Sequence, residues 1–228
     1  MTHGPAPRPA QPSRAASGNW SGYVAGGAFH EVSGSWTEPA ATCTSAGSTA
    51  AFWVGLGGAP SYPLYQAGSG VLCRNGVAFH VLWYELVTGH GPQSQINVLQ
   101  IAAGDRVSAT VDLGAGGSGG LIRLVDASTG HTIAVRFSPG IGWSATAEWI
   151  AEATSATSTG QVSRLADFGA LAFHDCSTEH GQQSLAGWPA GQLTALTLED
   201  ILGGTASPGP LGSEPAGSGG SFTVSYRG

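Results

Sequence analysis

Lysine is absent from this chain: all eight basic residues are Arg, set against 14 acidic ones for a formal net charge of −6. Charged residues make up 10% of the 228 positions, where about 25% is usual. So few cations leave neither the basic stripe that grips nucleic acid nor the polybasic patch that holds anionic lipid. No nucleic-acid or membrane partner is expected, and no apolar run reaches the roughly 18 residues that a spanning helix needs. The three cysteines, Cys43, Cys73 and Cys176, fall in no CxxC or Cys/His spacing, and the seven His residues form no HExxH, which argues against zinc. His90, His174 and His180 sit in polar or loop contexts and read as exposed. Asp105, Asp167 and Asp175 lack the Asp-Thr/Ser-Gly setting of an aspartic protease. No metal and no cofactor are expected.

Hydrophobic residues reach 41%, enough for one sizeable core in a chain of this length. Wherever a period can be read it is two, with turn residues about every eight to twelve positions, the pattern of an all-β domain. Val107, Ala109, Val111 and Leu113 alternate with Arg106, Ser108, Thr110 and Asp112, as a half-buried strand should. Leu121 to Asp126 and His131 to Phe137 flank a polar turn and read as a hairpin. Phe222, Val224 and Tyr226 mark a last strand where a sheet is expected to close. The Gly-rich runs 114–120 and 203–220 read as loops. So many antiparallel strands require two packed sheets, because one open sheet would leave a face unburied.

Residues 1–16 contain Pro5, Pro7, Pro9 and Pro12 and no apolar stretch of signal-peptide length. They read as a disordered arm ahead of a single domain over 17–228. If the protein is exported, one disulfide with one Cys left over is the natural count. Cys43 with Cys73 is the preferred pair because the two flank a strand pair. In acid, the eight Arg and seven His would be the only cationic side chains, so self-repulsion stays modest.

Chemistry concentrates in a few segments. In Ala147-Glu148-Trp149-Ile150-Ala151-Glu152, strand geometry puts Glu148, Ile150 and Glu152 on one face, and helical spacing would also bring the two carboxylates together. Taken alone, they read as a solvated Glu pair. The strand Phe79 to Leu86 projects Phe79, Val81, Trp83 and Glu85 to one side. Gln66 follows Trp53 by 13 positions and precedes Ala67-Gly68. Its carboxamide supplies two donors and an acceptor at any pH.

Phe52-Trp53-Val54-Gly55, Tyr65-Gln66-Ala67-Gly68, Trp83-Tyr84-Glu85, the Glu148 segment and Asn19-Trp20-Ser21-Gly22-Tyr23-Val24 occur in an order that resembles the glutamic peptidases (eqolisins, family G1). The resemblance spans roughly Ser17 to Gly228. It implies a sandwich of two large curved antiparallel sheets, similar in architecture to the legume lectins (concanavalin-like), with Gln66 and Glu148 as a catalytic dyad on the concave face. Glu85 would lie close to the dyad, Trp53, Trp83 and Tyr65 would shape the substrate groove, and Glu152 would support. A secreted, acid-active, monomeric endopeptidase acting on polypeptides is implied. Two positions depart from the fungal pattern: Gly57 stands where Asp is usual, and Leu86 replaces a second Trp. A carbohydrate-binding or glycoside-hydrolysing sandwich is the alternative, since paired Glu residues and seven Trp also suit sugars. An inactive binding domain of the same fold is a third reading.

Overall fold

A computed structural model describes residues 11–43, 45–59, 62–89, 95–114, 119–155, 161–200, 202–212 and 219–228. The chain is built almost wholly of strands: β1 (Ser13–Ser17), β2 (Trp20–Phe29), β3 (Glu31–Thr37), β4 (Thr49–Gly57), β5 (Leu64–Arg74), β6 (Val77–Val87), β7 (Ile96–Ile101) and β8 (Arg106–Asp112). There follow β9 (Gly120–Asp126), β10 (His131–Phe137), β11 (Ser144–Glu152), β12 (Ala170–Thr178), β13 (Gln183–Ser184), β14 (Leu193–Glu199), β15 (Thr205–Pro208) and β16 (Gly220–Arg227). Two single 3-10 turns, Leu185–Gly187 and Ala190–Gln192, precede β14.

Hydrogen bonds link fourteen strands in the continuous order β10-β9-β8-β3-β12-β16-β15-β14-β2-β11-β4-β5-β6-β7. This long sheet folds over so that β3, β8 and β9 pack on β4 and β5, giving the two layers of a sandwich. The layers enclose Tyr23, Trp36, Phe52, Trp149, Phe173 and Phe222, all buried. Phe173 stacks on Phe222 at 5.0 Å and meets Trp36 edge-on at 5.5 Å, arrangements that aromatic quadrupoles favour. Each such ring contributes roughly 1.5–3 kcal/mol by leaving water.

The alternation read in β8 is present, with Val107, Ala109 and Val111 buried, Ser108, Thr110 and Asp112 half-buried and Arg106 exposed, and β9 and β10 form the expected hairpin. In β4 and β5 the alternation disappears, because both faces are covered. Behind the main core lies a second cluster of Val24, Ala51, Trp53, Leu64, Trp83 and Ile150. An outer sheet face that buries its own apolar cluster is unusual for an antiparallel sandwich, where one face is normally solvated.

The preferred disulfide, Cys43–Cys73, is formed. It ties the segment before β4 to the far end of β5, where Cys73 N–H also donates to the Ser48 carbonyl at 2.9 Å. Cys176 stands outside the disulfide and is buried.

Several expectations need correcting. Residues 13–16, assigned from sequence to the disordered arm, form with Ser17 the strand β1, which pairs in parallel with β14; residues 1–10 lie outside the described part. The last strand closes no edge: β16 sits inside the sheet between β12 and β15. The run 203–220, read as loop, contains β15, which pairs with both β14 and β16. Residues 115–118 and 213–218 of the two Gly-rich runs, and His90, lie outside the described residues.

Candidate active site

Antiparallel partners place their side chains on the same face of a sheet, so the register fixes which residues of the second cluster's face meet. One cross-strand row reads Val24, Glu148, Gly55, Gln66, Glu85 through β2, β11, β4, β5 and β6. The next reads Gly22, Ile150, Trp53, Gly68, Trp83, and the third Trp20, Glu152, Ala51, Gly70, Val81. Sequence-distant Glu148 and Gln66 therefore flank one residue, and that residue has no side chain. With strands about 4.8 Å apart, their backbones stand about 9.6 Å from each other.

Gly55 cannot be enlarged without disturbance: a Cβ there would lie 2.7 Å from the Trp53 ring and 3.2 Å from Leu64. The Trp53 ring and Leu64 thus fill the space over Gly55, with Glu148 and Gln66 on its two flanks. Glu148 is 0% and Gln66 5% exposed. Both Glu148 carboxyl oxygens and Gln66 Oε1 are buried without a hydrogen-bond partner of normal geometry among the described residues. Buried polar atoms are nearly always satisfied, so three such oxygens on one cross-strand row single out Glu148 and Gln66.

Burial pushes the Glu148 carboxyl well above its ordinary value, offset in part by the Thr146 side chain and the Gly57 N–H. Gln66 Nε2 donates to Glu85 Oε2 at 2.8 Å. Burial raises the Glu85 carboxyl too, and the Gln66 bond lowers it. Glu152, half-buried, accepts from Trp53 Nε1 at 2.8 Å and from Asn19 Nδ2 at 3.0 Å. Burial lifts it to about 7 despite those bonds, and the neighbouring Glu85 charge adds to the rise. Trp20 packs edge-on to Trp53 at 5.0 Å.

Of the residues expected from sequence, Gln66, Glu148, Glu85, Glu152, Trp53 and Trp83 share this face. Glu148 and Glu152 are not the solvated pair that they resemble when read alone. Tyr65 does not share the face: adjacent to Gln66, it points to the opposite side, packs on Phe137 at 5.1 Å and accepts from Gly140 N–H at 3.3 Å. Trp53 and Trp83 are 0% and 2% exposed, so they form the floor under the site and offer no open ring for a sugar to stack on. At Gly57 the backbone has φ +95°, and a Cβ would fall 2.0 Å from the Pro63 carbonyl oxygen. The local chain path, not only the missing carboxylate, distinguishes this position from one that carries Asp. Leu86 is half-buried on the core side.

Sequence reading missed a buried network on the core side of the same strands. His80 Nδ1 lies 2.8 Å from Glu38 Oε1, the Ser69 hydroxyl donates to the other Glu38 oxygen, and Trp36 Nε1 donates to Ser69 Oγ at 2.8 Å. Trp83 Nε1 donates to the Ser69 carbonyl at 2.8 Å, joining this network to the floor of the site. No local signal betrays it, since the partners of Glu38 are 31 and 42 positions away. Among the described residues, no cluster of three or more His, Cys, Asp or Glu side chains is arranged to hold a metal ion.

Three solved structures that share this architecture are described as glutamic peptidases or eqolisins. A scytalido-glutamic peptidase bound to a transition-state analogue inhibitor superposes with TM-score 0.70 at 20% identity, covering 92% of this chain and 99% of the other. SCP-B, an eqolisin in complex with the tripeptide Ala-Ile-His, gives 0.66 at 22% over the same shares. Aspergilloglutamic peptidase from Aspergillus niger gives 0.59 at 22%, covering 78% of this chain and 99% of that one. No curated protein sequence matches the chain. The model of the Peptidase A4 family matches residues 18–201, and the chain belongs to that family.

Proposed function

We propose that the protein is a secreted, acid-active glutamic endopeptidase in which Glu148 and Gln66 act together on a water molecule and a scissile peptide bond. The observation that carries this reading is the single row Glu148, Gly55, Gln66, whose side-chain oxygens Glu148 Oε1 and Oε2 and Gln66 Oε1 are buried without a hydrogen-bond partner of normal geometry among the described residues. In the unliganded site, burial holds Glu148 protonated well beyond the acid range of an ordinary carboxyl. Hydrogen bonds from an entering water and from substrate favour the carboxylate and bring it back down. The carboxylate then takes a proton from the water as its oxygen attacks the carbonyl carbon, and the C=O π pair moves to the carbonyl oxygen. Gln66 Nε2 donates to that oxyanion. Glu148 returns its proton to the nitrogen as the C–N bond breaks.

Glu85 and Glu152 share the same water-poor face, so each further ionisation opposes the last. Activity is therefore confined to acid, where the cluster carries little charge. The Cys43–Cys73 disulfide supports export to an oxidising compartment, and polypeptides are the substrates.

The test is cleavage of an unfolded protein across about pH 2 to about pH 8, with pepstatin present, for wild type, Gln66→Ala and Glu148→Gln. Losing one oxyanion donor costs about 100- to 1000-fold in turnover, so Gln66→Ala should fall there and Glu148→Gln lower still. A Glu148→Gln enzyme keeping over about a tenth of wild-type rate would remove Glu148 from its role.

A further inference from the structure

The face that carries the row of Glu148 and Gln66 does not end there. Past Trp53 and Trp83, where Ala51 and Gly70 reduce the side chains to a methyl and a hydrogen, the sheet holds a cavity of about 350 Å³. Leu72, Phe79 and Val81 give it apolar walls, Thr49, Thr154, Gln95 and Asn97 add polar ones, and Arg74 lies at its far end. Arg74 is the only charged side chain among the described lining residues, and it makes no hydrogen bond or ion pair with any described residue. Phe79 and Val77 on the adjoining strand are 43% and 53% exposed, although they lie on the face of β6 that also carries Trp83 and Glu85. Exposed apolar side chains gathered at a cavity mark a surface that something covers.

Gln66, Gly70, Leu72 and Arg74 lie on the same side of β5, alternating as strand residues must. At about 3.4 Å per residue, Gly70 and Leu72 stand about 14 and about 20 Å along the strand from Gln66. An extended polypeptide has the same rise, so the distance corresponds to about four to six substrate residues.

We propose that this cavity is a remote substrate subsite that takes an apolar side chain of the bound polypeptide about four to six residues from the scissile bond, with Arg74 pairing to a carboxylate just beyond it. The inference rests on the peptidase reading, because the scissile bond is what sets the distance. Arg side chains keep their charge throughout the acid range, whereas a substrate Asp titrates near about 3.9. Discrimination by Arg74 therefore grows as pH rises through about 4, within the range in which the enzyme works.

The experiment uses fluorogenic peptides with one cleavable bond and an apolar residue followed by Asp or Asn at the stated distance, on either side of that bond. An exposed ion pair contributes about 0.2–1 kcal/mol, so wild type should favour the Asp peptide in kcat/KM by roughly 1.4- to fivefold at about pH 5 and less at about pH 3. The difference should lie in KM, as expected of a contact made equally before and during reaction. Arg74→Gln should abolish the preference and Arg74→Glu should invert it, while Arg123→Gln, on β9 in the other layer, keeps the wild-type ratio. An Asp/Asn ratio that is the same in wild type and both Arg74 variants overturns the subsite. If no peptide or protein is cleaved under any condition, the peptidase reading fails instead. Binding of the same labelled peptides to Glu148→Gln protein, followed by fluorescence anisotropy with and without Arg74→Gln, then decides the subsite without turnover: weaker Asp-peptide binding in the Arg74 variant supports it, and equal binding overturns it.

Discussion

Trp53 joins Glu152 to the row that carries Glu148: its indole N–H donates to Glu152 Oε2 at 2.8 Å, while the far edge of its ring lies where a side chain on Gly55 would have to go. One buried ring thus sets the environment of one carboxyl and fills the space beside another.

Replacing Trp53 with Phe keeps most of the ring and removes the N–H donor. Losing a hydrogen bond to the ionised form favours the neutral one, so the Glu152 carboxyl should titrate above its present value of about 7. Carbon-13 NMR of labelled Glu side chains reads this directly, and a downward shift would show that the donor does not act on Glu152.

Gly55→Ala inserts a methyl 2.7 Å from the Trp53 ring. Overpacking of this kind costs about 1–3 kcal/mol, so the melting temperature should fall. Activity should fall further than stability explains, at a temperature where the variant remains folded, because the added methyl displaces the Trp53 ring that lies between Glu148 and Gln66. Ala147→Gly, in the core beside the row, serves as a comparison of similar size that leaves the Trp53 ring in place.

Stability should be greatest in acid. Burial raises the carboxyls of Glu148, Glu152, Glu85, Glu38 and Glu31, so the folded state binds these protons more tightly than the unfolded one. The contribution is fully present below the ordinary carboxyl value and is lost as pH rises through the folded values. For Glu152 the window runs from 4.5 to about 7, a loss on the order of 3 kcal/mol. Thermal melts from about pH 3 to about pH 8 should show a falling midpoint, and Glu152→Gln should flatten the slope between about pH 5 and about pH 7. A midpoint that climbs toward neutrality contradicts the assignment.

Cys43 and Cys73 close a loop with a sequence separation of 30, for which chain entropy gives about 3–4 kcal/mol. A Cys43→Ser, Cys73→Ser double variant should lose about that much in denaturant unfolding. Cys176, buried, should react with a thiol reagent only as fast as the protein opens.

The alternation in β8 and the hairpin of β9 and β10 were legible because half-buried antiparallel strands write their burial directly into the sequence. That Glu148 and Glu152 share a face was legible for the same reason. The adjacency of Glu148 and Gln66 was not, since it depends on β4 lying between β11 and β5, and only the family resemblance supplied it. Tyr65 was misplaced although alternation alone could have excluded it: a residue next to Gln66 on a strand faces away from it. β1 and β15 were missed because short polar or Pro-containing segments acquire strand geometry from the neighbours they dock on.

The row through Glu148, Gly55 and Gln66 also says how this site can vary. Its spacing is that of the backbone ladder, so the separation of the two groups comes in whole strand steps. Slipping β5 by one residue would send Gln66 into the core and bring Tyr65 or Ala67 to the surface. The row therefore has no graded intermediate forms: loops and floor can be remodelled, but Glu148 and Gln66 either share one face or do not.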